Sequence, residues 1–400
     1  MELSENRLWT KEFIIVSCIN FFVTLIFFLL MVTIAVYAVS EFDASPSEAG
    51  LVTGIFIIGV LIGRLFIGKY IDSLGHKRML FIGLTFFVLM ILLYFIQLGL
   101  SFLLVNRFIH GIALGMASTA TGTIVAQIIP VKRKGEGIGY YSMSNALAMG
   151  IGPFVGLFMM NYTTFPIIFS VCLILGVICL LISLFLRVPK LEVVPPTTET
   201  KGFKIFDYIE RKALPIASVV LVTGFCYSSV LSFISFYAIE IGLMKAASFF
   251  FVVYAIAILV SRPFTGRLMD KKGANFIMYP AFISFGVGML LLSVANNGFT
   301  LLLAGVLIGL GFGNMQSCTQ AIAVKLTPPH RFGLATSTFF IALDAGLGFG
   351  PYLLGFIVIQ FGFSNMYIIM GVFVLMTAIL YYIVYGKNEK KVKLAVEILE

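Results

Sequence analysis

Charge is scarce in this chain: 11% of its 400 residues are Asp, Glu, Lys or Arg, against 60% hydrophobic residues and 41 Phe. A water-soluble domain cannot hide a mean hydropathy of +1.06, so the composition is that of a membrane protein. Cysteine is sparse as well. The five, Cys18, Cys172, Cys179, Cys226 and Cys318, each sit inside an apolar run and form no C-x-x-C, which excludes a disulfide framework and a thiolate metal site. No H-E-x-x-H, P-loop or Ser/His/Asp set is present, so an intramembrane enzyme, a sensor or a self-contained ATP-driven pump lacks its residues. No cofactor or metal is expected.

What is present is a series of apolar runs. A span needs about 20 such residues, and twelve are read, at roughly 12–38, 47–69, 79–97, 100–127, 137–160, 164–186, 213–238, 246–267, 275–294, 298–324, 333–358 and 364–385. With the amino terminus inside, 23 of the 27 Lys and Arg fall on the inner side, only Lys245 falls outside, and Arg64, Arg107 and Arg262 lie within spans. The formal charge of +9 is therefore a topology signal, and no nucleic-acid partner is expected. The expectation is a multi-pass protein of the cell membrane with both termini cytoplasmic. The polar residues 1–11 lead into a run too long for a signal-peptide core, so span 1 is expected to stay.

The chain is also written twice. Gly63 to Arg78 and Ser261 to Gly273 share Arg64/Arg262, Phe66/Phe264, Gly68/Gly266, Asp72/Asp270 and Gly75/Gly273 at one offset of 198 residues (270 − 72). The same offset links Gly111 and Gly115 to Gly309 and Gly313, Pro130 to Pro328, Arg133 to Arg331, and Gly152-Pro153 to Gly350-Pro351. The domains read as 1–186, a linker over 187–212, and 213–400. The linker charges are read as solvated or at the membrane surface.

In the turn after span 2, Gly68 permits close packing, Asp72 places a carboxylate at a helix end, Gly75 suits a positive φ, and Lys77 and Arg78 can face headgroups or pair with Asp72. Gly266, Asp270 and Gly273 repeat the set. Span 4 carries Arg107 with glycines four and eight residues on, and span 5 carries Gly152-Pro153 and Gly156, a proline kink between small residues suited to packing across the two halves. Gly350-Pro351 repeats the kink in span 11.

These three stretches resemble the signature motifs of the major facilitator superfamily, and the likeness runs along nearly the whole chain. The resemblance implies an all-α fold of twelve transmembrane helices in two parallel-repeat six-helix bundles, usually monomeric. It implies that Asp72 latches to the start of span 11 near Gly333 to Thr336, that Arg107 is linked to proton coupling, and that the span 5 motif belongs to exporting antiporters. The type most resembled is the twelve-span drug:proton antiporter. Span 1 departs from it in having no carboxylate beyond Glu12 at its edge.

Candidate pathway residues follow from polarity within spans. Asp344 is the only carboxylate deep in a span, so a proton or cationic-substrate role stands beside a structural partnership with Arg107 or a polar neighbour. Arg107 shares a helical face with Gly111, Leu114, Ser118 and Thr121, while Gly309, Gly313, Gln316 and Gln320 form the corresponding face of span 10. His110 is either a packing residue or a proton carrier. Asn20 is either cavity or interhelical glue, and Asn145, Asn314 and Tyr227 complete the set. The function expected is proton-coupled efflux of a small organic, drug-like compound across the bilayer. Uptake or facilitated exchange of a metabolite is the alternative.

Overall fold

A computed structural model describes the backbone of residues 7–44, 46–188, 208–247 and 249–389; among these, the side chains of 46, 47, 49, 50, 68, 69, 72, 73, 157, 161, 235, 244, 351 and 352 are not described. Gly68, Asp72 and Pro351 therefore lie, as side chains, outside the described residues, as does the middle of the linker. The described residues are helical throughout, with no strand among them.

Each expected span finds a helix: α1 Lys11–Phe42, α2 Pro46–Leu74, α3 His76–Leu93, α4 Leu100–Ile128, α5 Lys134–Tyr162 and α6 Phe165–Leu184 in the first copy. The second copy gives α7 Leu214–Glu240, α8 Phe250–Lys272, α9 Asn275–Ser293 and α10 Gly298–Lys325. A continuous run Phe332–Val384 follows, broken at Gly362, where φ is 77°, into α11 (332–361) and α12 (363–384). Eleven described helical segments are long and apolar enough to cross a membrane, and α2 adds the shorter apolar stretch Leu51–Ile67. Within the bilayer a helix pairs all its interior N–H and C=O groups, which is why so apolar a chain folds this way.

The helices gather into two compact units, one from the described parts of 1–130, 147–210 and 328–340, the other from those of 131–146, 211–327 and 341–400. The starts of α5 and α11, both just past a Pro and an Arg at equivalent repeat positions, each pack with the opposite copy.

Small residues set the tight packing. In the first unit a Cβ on Gly111 or Gly115 would run into the carbonyl oxygens of Phe56 or Val60, so α4 lies directly on α2. In the second unit Gly309 meets Tyr254 and Gly313 meets Ile258, the residues 198 later in each case. The repeat thus holds at the level of contacts. The glycines of α5 behave differently from expectation: a Cβ at Gly152 would sit 2.7 Å from the Phe28 Cβ, and one at Gly156 2.9 Å from the Leu29 oxygen. Both pack on α1 of their own unit, not across the two halves: without a side chain, each lets the α5 backbone lie directly against α1. In the other unit Gly346 and Gly350 likewise bring α11 onto α7, at Leu221 and Ser228.

Candidate functional site

In the second copy the turn after α8 reaches the start of α5. In the second unit the Asp270 carboxylate, near the end of α8, accepts the backbone N–H of Gly135 at 2.9 Å and of Glu136 at 2.8 Å, in the first turn of α5. Those N–H groups have no partner within their own helix and carry the positive end of its dipole. A carboxylate here makes charge-assisted bonds worth roughly 1.5–3 kcal/mol each. Lys325 adds an ion pair to Asp270 at 2.8 Å. Glu136 then bridges Arg133 at 2.7 Å and Arg267 at 2.8 Å. Close approach is obligatory, since a Cβ on Gly266 would lie 2.8 Å from the Glu136 Cα and one on Gly135 3.0 Å from the Gly266 oxygen. Gly273 ends α8 at φ 96°, and Gly75 has φ 94° at the equivalent place in the first copy.

The first unit shows the matching junction. Ser337, in the first turns of α11, donates to the Arg64 carbonyl at 2.6 Å, and the Arg64 guanidinium lies over the Phe340 ring at 4.4 Å. At the equivalent place in the second unit a Cβ on Gly139 would lie 3.9 Å from the Arg262 carbonyl oxygen. Each junction joins one sequence copy to the other on the Lys- and Arg-rich side. Lys77 donates to the Leu184 carbonyl at 2.9 Å and closes the last turn of α6, while Arg78 is exposed. His76, unnoticed in the sequence, is buried against Gln127 at 2.7 Å.

Arg107 is 1% exposed. Its Nε donates to the Val52 carbonyl at 3.2 Å and its Nη1 to the Tyr94 hydroxyl at 3.3 Å, and the guanidinium lies over Phe56 at 4.1 Å. Tyr94 is also 2.8 Å from His110 Nδ1. A guanidinium only donates, so the Tyr94 oxygen accepts from Arg107 and keeps its own proton to offer His110 Nδ1. Arg107 and His110 face α2 and α3, and the polar track expected beneath Arg107 divides. Ser118 bonds its own helix at the Leu114 carbonyl, and Thr121 donates to Asn20 on α1 at 3.3 Å.

In α10 the expected face is interrupted. Residues Gly309–Gly313 form a π turn, which adds a residue to the helical spacing and breaks the register between Gly309 and Gln320. Asn314 Nδ2 takes the Leu310 carbonyl at 2.8 Å and Arg262 Nη2 the Gly313 carbonyl at 2.6 Å, while Thr265 donates to Asn314 at 3.0 Å. Phe312, on the turn, stacks on Tyr227 with ring centres 4.1 Å apart. Of the eight candidate pathway residues, Asn20, Arg107, His110, Tyr227 and Asn314 are thus buried in packing contacts, and Asn145, Gln316 and Asp344 are half-buried.

Apolar helices in this number, written as two copies, define a membrane carrier of the doubled-bundle class. The chain belongs to the Major Facilitator Superfamily, whose sequence pattern matches residues 16–294 and 244–398, and is a secondary transporter. It is 27% identical over 361 residues to an uncharacterized MFS-type transporter of Methanocaldococcus jannaschii, covering 87% of this chain and 92% of that protein. It is 22% identical over 322 residues to Multidrug resistance protein 2 of Bacillus subtilis, covering 78% and 80%. The solved human organic anion transporter MFSD10 shares the fold with a TM-score of 0.76 at 14% identity, over 92% of this chain and 98% of that one.

Proposed function

We propose that the protein exports small organic compounds in exchange for protons, by rocking two six-helix halves about a central pathway in the cell membrane, with both termini cytoplasmic. The observation that carries this reading is the pair of junctions at repeat-equivalent positions, Asp270 with Gly135 and Glu136, and Arg64 with Ser337 and Phe340. Each ties one sequence copy to the other within its own unit, and their release is the step between two states in this scheme. The repeat assigns Asp72, whose side chain lies outside the described residues, the same part in the scheme as Asp270.

Export is supported by the Gly152-Pro153 and Gly156 motif and by the similarity to a multidrug resistance protein. Asp344 alternates between protonated and substrate-engaged states, with Asn145 and Gln316 beside the pathway; Arg107 and His110 tune it from within the packing. Neither a cofactor nor a second protein is required, and the working unit is the monomer.

The test compares compounds retained by cells with and without the protein. Uptake into everted vesicles under an imposed proton gradient follows for any compound that differs, with wild type and Asp344→Asn. Accumulation driven by the gradient in wild type and absent in the variant supports antiport. Accumulation indifferent to the gradient would remove protons from the scheme.

A further inference from the structure

The linker was expected to carry only solvated charge, yet its last described stretch does not. Glu210, four residues before α7, is 4% exposed. A carboxylate is not buried at the end of a polar linker without a partner that compensates its lost hydration. Its partners lie on α11. The carboxylate is 2.7 Å from Arg331 Nε, as a charge contact off the N–H direction, and the Glu210 N–H donates to Thr338 Oγ1 at 2.9 Å. Thr338 passes its own proton to the Leu334 carbonyl at 2.7 Å. The backbone of the linker is therefore tied to the second turn of α11 and its side chain to the turn preceding it.

The repeat explains why the linker is needed. Arg133, at the start of α5, finds its carboxylate three residues on, at Glu136. The equivalent of Arg133 is Arg331, and the equivalent of Glu136 is Leu334. The second copy has lost the carboxylate from its own helix, and Glu210 supplies it from elsewhere in the chain. On its other side the same stretch of α11 is held by Ser337 on the Arg64 carbonyl and by Arg64 on Phe340. The start of α11 is gripped between α2 and the linker, all within the first unit, before the helix passes into the second unit after Phe340. Asp344 stands six residues beyond Thr338, about 9 Å along a helix axis.

We propose that Glu210 is a positioning residue for transport: through Arg331 and Thr338 it fixes the register of α11, and with it the place of Asp344. The inference rests on the rocking mechanism for its consequence in transport, but the grip itself can be measured without any substrate. In the full chain in lipid nanodiscs, hydrogen exchange of the amides of 335–340 reports it. Glu210→Gln and Arg331→Gln are each expected to speed that exchange about tenfold, and Thr338→Val, which removes the linker's backbone acceptor, to act in the same direction. Exchanging the charges, Glu210→Arg with Arg331→Glu, is expected to bring exchange back to within about threefold of wild type. A fold that merely needed Glu210 as filler would not recover on reversal. Single variants that exchange like wild type, or a charge exchange no slower than the singles, overturn the proposal.

The second readout is ethidium uptake into everted vesicles. Glu210→Gln is expected to weaken the response to the proton gradient severalfold, with recovery in the charge exchange. Loosened amides with an unchanged gradient response would overturn the positioning role. Should wild type itself not move ethidium with the gradient, the hydrogen-exchange results still decide the grip, and the efflux reading is what suffers.

Discussion

The Asp270 carboxylate accepts both backbone N–H groups that open α5, those of Gly135 and Glu136, and also holds Lys325. One side chain thereby satisfies two orphan donors of a helix in the other sequence copy. Asp270→Asn keeps the shape, removes the charge and turns one acceptor into a donor facing an N–H. The loss is about 1.5–3 kcal/mol at the junction. Trypsin should then cut the 131–134 turn, which holds Lys132, Arg133 and Lys134, severalfold faster in the native protein. Unaltered cleavage would mean that the turn is held by something other than Asp270.

The glycine at the crossing is a sterner requirement. A methyl group at Gly266 would push against backbone alone, the Glu136 Cα at 2.8 Å and the Gly135 oxygen at 3.0 Å, whereas a methyl at Gly54 meets nothing within 4 Å. Gly266→Ala should cost about 1–3 kcal/mol as forced overpacking, and Gly54→Ala should be neutral or slightly stabilising through helix propensity. Thermal unfolding of the two variants in the same detergent separates them. Equal midpoints would contradict the close crossing.

Tyr94 is the hub of the buried Arg107 cluster and was not legible beforehand, because an aromatic residue at the end of a span reads as an interface anchor. Tyr94→Phe leaves Arg107 Nη1 without its acceptor and His110 Nδ1 without its donor, both inside the protein. Unmade buried hydrogen bonds cost about 1–3 kcal/mol apiece, so a drop of several degrees in the unfolding midpoint is expected. His110→Gln, whose side-chain oxygen can accept from Tyr94, should fall less far. The reverse order would mean that the imidazole itself, and not its acceptor, is what the cluster needs.

Asp344 carries the prediction for pH. If its protonation drives exchange, wild-type transport should rise with the imposed gradient, and Asp344→Asn, a permanent mimic of the neutral acid, should lose that dependence while still reaching the membrane. Vesicles of the two proteins assayed at several external pH values check this. A variant as responsive to pH as wild type would move proton coupling to another residue.

The repeat and the span positions were readable because both are periodic properties of the chain: a constant offset, and apolar runs long enough for a bilayer. Gly75 and Gly273 announced their positive φ because few other residues adopt it cheaply. The partners of a helix face were not readable. Gly152 and Gly156 promised close contact, expected across the two halves, and the structure supplies α1 of the same unit instead. Glu210 was hidden for a similar reason, since its partner Arg331 is 121 residues away and only the missing carboxylate at Leu334 hints that one is wanted. Polarity in a span likewise did not distinguish a pathway residue from a packing one: Asn20 and Asn314 are engaged, while Gln316 is partly open.

The π turn in α10 shows how such a departure is held. A π turn leaves backbone carbonyls without their usual donor, and here side chains supply the donors: Asn314 at Leu310, Arg262 at Gly313, with Thr265 fixing the Asn314 amide. The first copy has the same buried arginine, Arg64, but Met116 stands where Asn314 does and Ile67 where Thr265 does, and α4 runs as an unbroken α-helix from Leu100 to Ile128. The arginine alone therefore does not make the turn; what the first copy lacks is the amide with its two hydroxyl partners, Thr265 and Ser261, Gly63 standing where Ser261 does. Asn314→Met should remove the donor at Leu310 and let residues 309–313 tighten to α spacing, turning the segment beyond by about 100° relative to the segment before. Gln316 would then change its surroundings. A single cysteine in place of Gln316 reports this directly, since its rate of labelling by a water-soluble maleimide should change severalfold when Asn314→Met is added, with the Thr265→Val addition moving it the same way. A labelling rate untouched by either addition would show that the turn is set by the packing of Phe312 on Tyr227 and not by the polar caps.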